Sequence, residues 1–189
     1  MKKLIFATTL LLMLNACGGT QSTTPAIQTP HPNETPVIME NTKQEYLNAI
    51  NHERSVQRKC GDKVKRAVEP LVWNEKLYKA AYEHSEDLAV SETFSHTGSG
   101  TNSDWTAQVQ NLGKGSTLKD RSENNGYLNW KSLGENIAKG QTSVEKVVKS
   151  WMKSDGHCAN IMSDKYIEIG MAKFEKEGSI FWTQNFGSR

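Results

Sequence analysis

Two histidines and one glutamate stand out in this chain for the residues around them. His96 ends Phe94-Ser95-His96, Glu135 sits in Gly134-Glu135-Asn136-Ile137-Ala138, and His157 lies within Ser154-Asp155-Gly156-His157-Cys158-Ala159-Asn160-Ile161-Met162. Each is set among glycine, serine or asparagine, residue types that suit loops and helix ends. Two imidazoles and a carboxylate are the smallest set that could hold a divalent cation or relay a proton. A fourth block, Trp182-Thr183-Gln184-Asn185-Phe186-Gly187, ends the chain. There is no His-Glu-x-x-His helix, no Gly-x-Ser-x-Gly elbow, no phosphate-cradling glycine loop and no calcium-hand loop.

The elements that must position these groups can be read from spacing. Thr42 with Glu45 fits a capping box and opens a helix to about Arg58. Asn74 caps a second helix to about Val90, with Leu77, Ala80, Ala81, His84 and Leu88 on its inward stripe. His84 on that stripe reads as a hydrogen-bonded core histidine, with a place in a polar pocket as the alternative. Residues 97–115 read as a long loop, and loops of that length are functional or mobile. Leu118–Asn125 is a short helix. Ser143 starts another, with Val144, Val147, Val148, Trp151 and Met152 as its stripe and Gly156 as its C-terminal cap. A β-hairpin closes the chain: Tyr166–Phe174 alternates around Ile167, Ile169 and Met171, Glu175–Gly178 turns, and Ile180–Phe186 returns with Trp182 and Phe186 inward. Ile137-Ala138 adds a short central strand. Periodicity alone gives mixed α and β.

The ends and the cysteines define the compartment. Lys2 and Lys3 precede an apolar run, Leu4–Leu14, that is shorter than the ~20 residues needed to span a bilayer. Leu14-Asn15-Ala16-Cys17 reads as a lipobox, which makes residues 1–16 a lipoprotein signal peptide and Cys17 the lipidated residue. With no aspartate after Cys17, sorting favours the outer membrane in a Gram-negative cell. Taking Cys17 for the lipid leaves Cys60 and Cys158, an even pair in an oxidising compartment, and they are expected to bridge. Residues 17–40 hold four of the chain's five prolines among Thr, Ser, Gln and Gly. They read as a disordered tether in which His31 is solvated. The domain is then 41–189.

Charge excludes one class of partner. The chain has 23 basic and 21 acidic side chains, and loss of Lys2 and Lys3 balances them, so no electrostatic case for nucleic acid exists. Lys59, Lys63, Lys65 and Arg66 cluster, but Asp62 and Glu69 interleave in sequence, and the cluster reads as a solvated face.

In order and spacing the four blocks resemble the bacterial lipoprotein branch of the CAP superfamily (cysteine-rich secretory proteins, antigen 5 and pathogenesis-related proteins), over residues 42 to 187. The resemblance implies an α/β/α sandwich, an α+β fold with an antiparallel-rich sheet between helices. It also implies a cavity marked by two histidines and two acids. His96 and His157 would be the ligands of a weakly held Zn²⁺ or other divalent cation, with Glu135 orienting a histidine by hydrogen bonding. The second acid is where the chain departs: three residues past the helix tryptophan, Trp151, stands Ser154, with Asp155 beside it. The expected role is a monomeric, lipid-anchored cell-envelope protein that binds a lipid, glycan or peptide in a His/Glu-lined cleft, since relatives are linked to lipid or sterol binding. One alternative is a metal-dependent hydrolase with Glu135, His96 and His157 as catalytic candidates. The other is a structural or host-interaction protein with a vestigial site.

Overall fold

The computed structural model describes residues 35–189. The signal segment 1–16, Cys17, His31 and the tether up to residue 34 lie outside the described residues.

Twelve elements follow one another among these residues. Helix α1 (Glu40–Arg54) leads into a hairpin of β1 (Arg58–Cys60) and β2 (Lys63–Lys65), then the short β3 (Val72–Trp73). Helix α2 (Glu75–Ser91) follows, then α3 (Trp105–Val109), α4 (Leu118–Asn124), β4 (Ser132–Lys139), α5 (Val144–Met152) and α6 (Asp155–Ile161). The closing hairpin is β5 (Glu168–Lys176) and β6 (Ser179–Ser188). The main sheet runs β3-β5-β6-β4, parallel only between β3 and β5.

Strand alternation sorts the two faces. Ile169, Met171, Trp182 and Phe186 pack with Tyr46 and Ile50 of α1, Val147 and Trp151 of α5 and Ile161 of α6 in one buried cluster. On the opposite face Ala172 packs with Tyr78 and Ala81 of α2, and Ser85 of α2 donates to Thr183 at 2.9 Å. Helices therefore cover both faces, giving the α/β/α sandwich. The α2 side is so close that a Cβ on Gly170 would meet the Tyr78 backbone nitrogen at 2.0 Å.

Several local expectations shift. Helix α1 starts after Met39 and ends at Arg54, so Thr42 lies inside it and forms no capping box. The chain needs Arg58–Cys60 to pair with Lys63–Lys65 across a turn where Gly61 has φ 59°. Gly156 is not a helix cap: α5 already stops at Met152, and Gly156 sits within α6. Ile137-Ala138 belongs to an eight-residue strand at the sheet edge rather than its centre. That edge is closed by side chains, with Trp151 Nε1 donating to the Ile137 carbonyl at 3.1 Å and Asn160 to that of Glu135 at 3.1 Å. Ile167 is 51 % exposed, because β5 begins only at Glu168. The expected caps at Asn74 and Ser143 form, and the β5–β6 turn falls at Glu177 and Gly178, both with positive φ as a two-residue hairpin requires.

Cys60 and Cys158 are bridged, with Cα atoms 5.4 Å apart and a sequence separation of 98. Closing a loop of that length is worth ~4–5 kcal/mol in the chain-entropy account. Replacing both cysteines with serine should lower the urea-unfolding free energy by about 4 kcal/mol. A thiol assay on the unreduced 35–189 segment should find no free sulfhydryl.

Candidate functional site

Glu135 lies on β4 opposite Asn185 of β6, which turns its side chain to the α2 side of the sheet, where it is 3 % exposed. His96 donates from Nδ1 to Oε1 at 2.9 Å. Arg121 donates from Nη2 to Oε2 at 2.8 Å. With its amide set to satisfy both sides, Asn185 also donates to Oε2 at 3.2 Å and accepts from the Ala81 N–H at 3.1 Å. Both carboxylate oxygens are thus committed. Burial alone would push this carboxyl up. The Arg121 guanidinium and the His96 N–H outweigh burial and hold it at about 2.

Arg121 was invisible in the sequence. It is 1 % exposed, and its Nη1 also reaches the Ser116 carbonyl at 2.8 Å while Nη2 reaches the carbonyl of His96 at 3.0 Å. One guanidinium therefore fixes both the carboxylate and the backbone of the histidine that the carboxylate orients. A full capping box between Thr117 and Asp120 sets the start of α4 and hence the place of Arg121. The segment from 97 to 115 is pinned rather than loose. Asp104 accepts from Gly100 N at 3.0 Å and Ser116 N at 2.8 Å, and Asp87 of α2 accepts from Ser99 and Ser103.

His84 joins the same cluster and takes the polar-pocket alternative as well as the core one. Fully buried, it donates from Nε2 to the Ser95 carbonyl at 3.0 Å, with Glu135 Oε1 at 3.7 Å. Burial lowers its pKa to about 4, so at neutral pH it is uncharged and forms no ion pair with Glu135. His96 differs: its side chain is 58 % exposed, and the bond to Glu135 raises its pKa. That bond fixes the neutral tautomer with the proton on Nδ1, leaving Nε2 without a hydrogen-bond partner among the described residues.

His157 comes from α6 and is half-buried. Its carbonyl accepts from Asn136 at 3.3 Å, and Asn160 in turn donates to Asn136 Oδ1 at 2.9 Å. Burial, and then the charge of His96, lower the pKa of the His157 ring, so the two rings share one electrostatic neighbourhood. Neither Ser154 nor Asp155 bonds to His96, Glu135 or His157 among the described residues. Ser154 precedes α6 without a side-chain capping bond, and the Asp155 carboxylate stands against Gly61 at the turn of the first hairpin.

A resident metal fits this donor set poorly. Glu135 is occupied, two imidazoles remain, and no group of three or more His, Cys, Asp or Glu converges to hold an ion among the described residues. Catalytic zinc keeps three protein ligands. A concavity of about 720 Å³ opens between α1 and α5, lined by the apolar Ala49, Val144, Val148 and Met152 and by charged side chains of both signs, Glu45, Glu53 and Glu145 with Lys149 and Lys153.

With this geometry in place, comparison with known proteins is decisive for family. The model of the cysteine-rich secretory protein family, CAP, matches residues 47–186. The chain belongs to the CAP family. Among its relatives are the uncharacterized protein YkwD of Bacillus subtilis (strain 168), 37 % identical over 125 residues, and the uncharacterized membrane protein YlbC of the same organism, 29 % identical over 127 residues. These stretches cover 66 % and 67 % of this chain but 42 % and 31 % of the relatives, so the chain spans less than half of their length. Two solved CAP structures share the fold. An extracellular SCP-domain protein from Bacillus anthracis superposes with a TM-score of 0.58 at 21 % identity, covering 82 % of this chain and 45 % of that one. An outer surface protein from Borrelia burgdorferi does so at 0.60 and 19 % identity, covering 82 % and 96 %. No helix among the described residues is long and apolar enough to cross a membrane.

Two predictions test the cluster. Arg121→Met removes the cation but leaves the carboxylate buried, and should cost about 3–5 kcal/mol in urea unfolding at pH 7. The second concerns acid. A group whose folded pKa is depressed from 6.5 to about 4, as in His84, supports folding in full above pH 6.5 and loses that support as the pH falls toward 4. Glu135 loses its own support at lower pH still, between 4.5 and about 2. His84 alone should therefore remove about 3 kcal/mol of unfolding free energy between pH 7 and pH 4, against an opposite trend from Glu86, whose carboxyl burial pushes up to about 7. The His84→Gln variant should show a correspondingly flatter profile.

Proposed function

We propose that this chain is a non-catalytic ligand-binding CAP domain working outside the cytoplasm, anchored to the cell envelope by a lipid on Cys17. The observation that carries the non-catalytic part is the state of Glu135. A general base needs a free, ionisable oxygen near the operating pH, whereas this carboxylate has both oxygens bonded and is held at about 2. No activated nucleophile adjoins it, since Cys60 and Cys158 are spent in the bridge. What the site presents outward is a rigid polar surface: the free Nε2 of His96 and the ring of His157. Such a pair suits a hydroxyl- or acid-bearing head group of an envelope lipid or glycan. The export signal and lipobox in the sequence support the location, as do the extracellular and outer-surface names carried by two structural neighbours.

A second reading places an apolar part of the ligand elsewhere. The groove between α1 and α5, at about 720 Å³, is within the size range of small-molecule sites and has an apolar wall.

Native mass spectrometry of the 35–189 segment, secreted from a bacterial host, distinguishes these readings. Bound lipid or glycan that leaves in His96→Ala/His157→Ala and survives a chelator is the expected result. Ligand that stays in that variant but leaves in Ala49→Trp shifts the site to the groove. Hydrolytic turnover that requires a metal and disappears in a folded Glu135→Gln variant would overturn the non-catalytic reading.

A further inference from the structure

Between α1 and β3 the chain leaves the sandwich and returns at a closed neck. The Val68 N–H donates to the Arg54 carbonyl at 3.0 Å, and Val68 packs on the main core. Over the excursion between them, residues 55–67, Cys60 is the single buried side chain. Strands β1 and β2 pair with each other alone, as a two-stranded sheet apart from the main one. No backbone–backbone hydrogen bond links residues 56–67 to the rest of the domain among the described residues. A two-stranded hairpin by itself is marginal in water, so something else must hold this one down.

What holds it is covalent. The bridge from Cys60 to Cys158 ties the hairpin to α6, and Gly61 lies against Asp155 beside it. Arg58 pairs back to Glu53 of α1 at 2.8 Å, but both side chains are partly exposed, and such pairs contribute little. Helix α6 has anchors of its own. Ile161 is fully buried and its carbonyl accepts from Arg54 at 2.7 Å, while Asn160 donates to the Glu135 carbonyl at 3.1 Å. Loss of the bridge therefore leaves α6 docked and the hairpin nearly unattached. The bridge can also be approached. Register sets Lys63 directly across from Cys60, and both line a concavity of about 400 Å³ with Lys65 and with Asp155, Gly156 and Ala159 of α6. Cys158 is fully buried, so a reagent in that hollow meets Cys60 first, where the neighbouring lysine favours a thiolate.

We propose that the β1–β2 hairpin is a redox-latched flap: a dithiol that opens the Cys60–Cys158 bond releases the hairpin while the sandwich stays folded. One thiolate of the dithiol attacks Cys60 Sγ, the Sγ–Sγ bond breaks, and Cys158 leaves as a thiolate. The second thiolate then attacks the reagent's own sulfur in the mixed disulfide, which frees Cys60. Two electrons pass from the dithiol, which ends as a disulfide, and each cysteine takes a proton. In an oxidising compartment the flap is shut. Cys158 directly follows His157 in α6, so the shut and open forms differ one residue away from the site. The flap is independent of the ligand-binding role proposed above.

Peptide-resolved hydrogen exchange of the whole chain, before and after dithiothreitol and without denaturant, tests this. Reduction should run to completion in the folded protein. Amide exchange in peptides covering residues 57–65 should then rise at least about tenfold, with α2 and the β5–β6 hairpin unchanged. The Cys60→Ser/Cys158→Ser variant should show the same open pattern with no reductant, and dithiothreitol should add nothing to it. A bond that yields only in denaturant would overturn the inference. So would exchange that rises equally in β5 and β6, or a hairpin that keeps its protection after reduction or in the serine variant.

Discussion

Glu135 and Arg121 share a space from which water is excluded, the carboxylate 3 % exposed and the guanidinium 1 %. Removing two charges from water is costly, and the cost is offset only when geometry is good and every remaining donor and acceptor is used. Here Nη2 bridges Oε2 and the His96 carbonyl, Nη1 bonds to Ser116, and the second oxygen goes to His96, so that of the guanidinium's nitrogens Nε alone is left buried without a partner among the described residues. Three segments distant in sequence are held to one point: the end of the first motif block, the start of α4, and the edge strand. The orientation of the exposed imidazole follows from that point rather than from its own loop.

The opposite side of the edge strand is built from amides. Asn136, Asn160 and Gln184 link the backbone of β4 to α6, and the disulfide fixes the same short helix to the first hairpin. His157 is therefore placed by its backbone, whereas His96 is placed by its ring. The two histidines shift in opposite directions for different reasons: the bond to Glu135 raises His96, whereas burial, and then the charge of His96, lower His157.

Much of this was legible from residue types. Asn74 and Ser143 announced their helices because short polar side chains cap helix starts, and the stripe from Leu77 to Leu88 located the α2 face with His84 on it. Trp182 and Phe186 fell inward as strand alternation requires. The failures share a cause, which is that tertiary partners decided what local pattern could not. Thr42 has a capping signature, but the helix already opens after Met39, whose carbonyl accepts from Thr42 and Lys43, and Gly156 resembles a cap until Ser154 is seen to open a new helix. Counting three residues past Trp151 leaves α5 altogether, so the offset led to Ser154 and to an Asp155 that faces Gly61. Arg121 carried no local signal, since an arginine in a short polar helix reads as solvated, and only the meeting of α4 with β4 reveals its burial.

The central claim is that a buried Glu135, ionised at neutral pH and paired with Arg121, sets the tautomer of His96 and raises its pKa, while burial keeps the neighbouring His84 neutral. Imidazole-detected nitrogen-15 NMR across a pH titration of the 35–189 segment tests this most directly. The account predicts His96 as the Nδ1–H tautomer titrating above 6.5, with His84 remaining neutral until about pH 4. A His96 found as the Nε2–H tautomer and titrating at or below 6.5, or a His84 already charged at neutral pH, would contradict it.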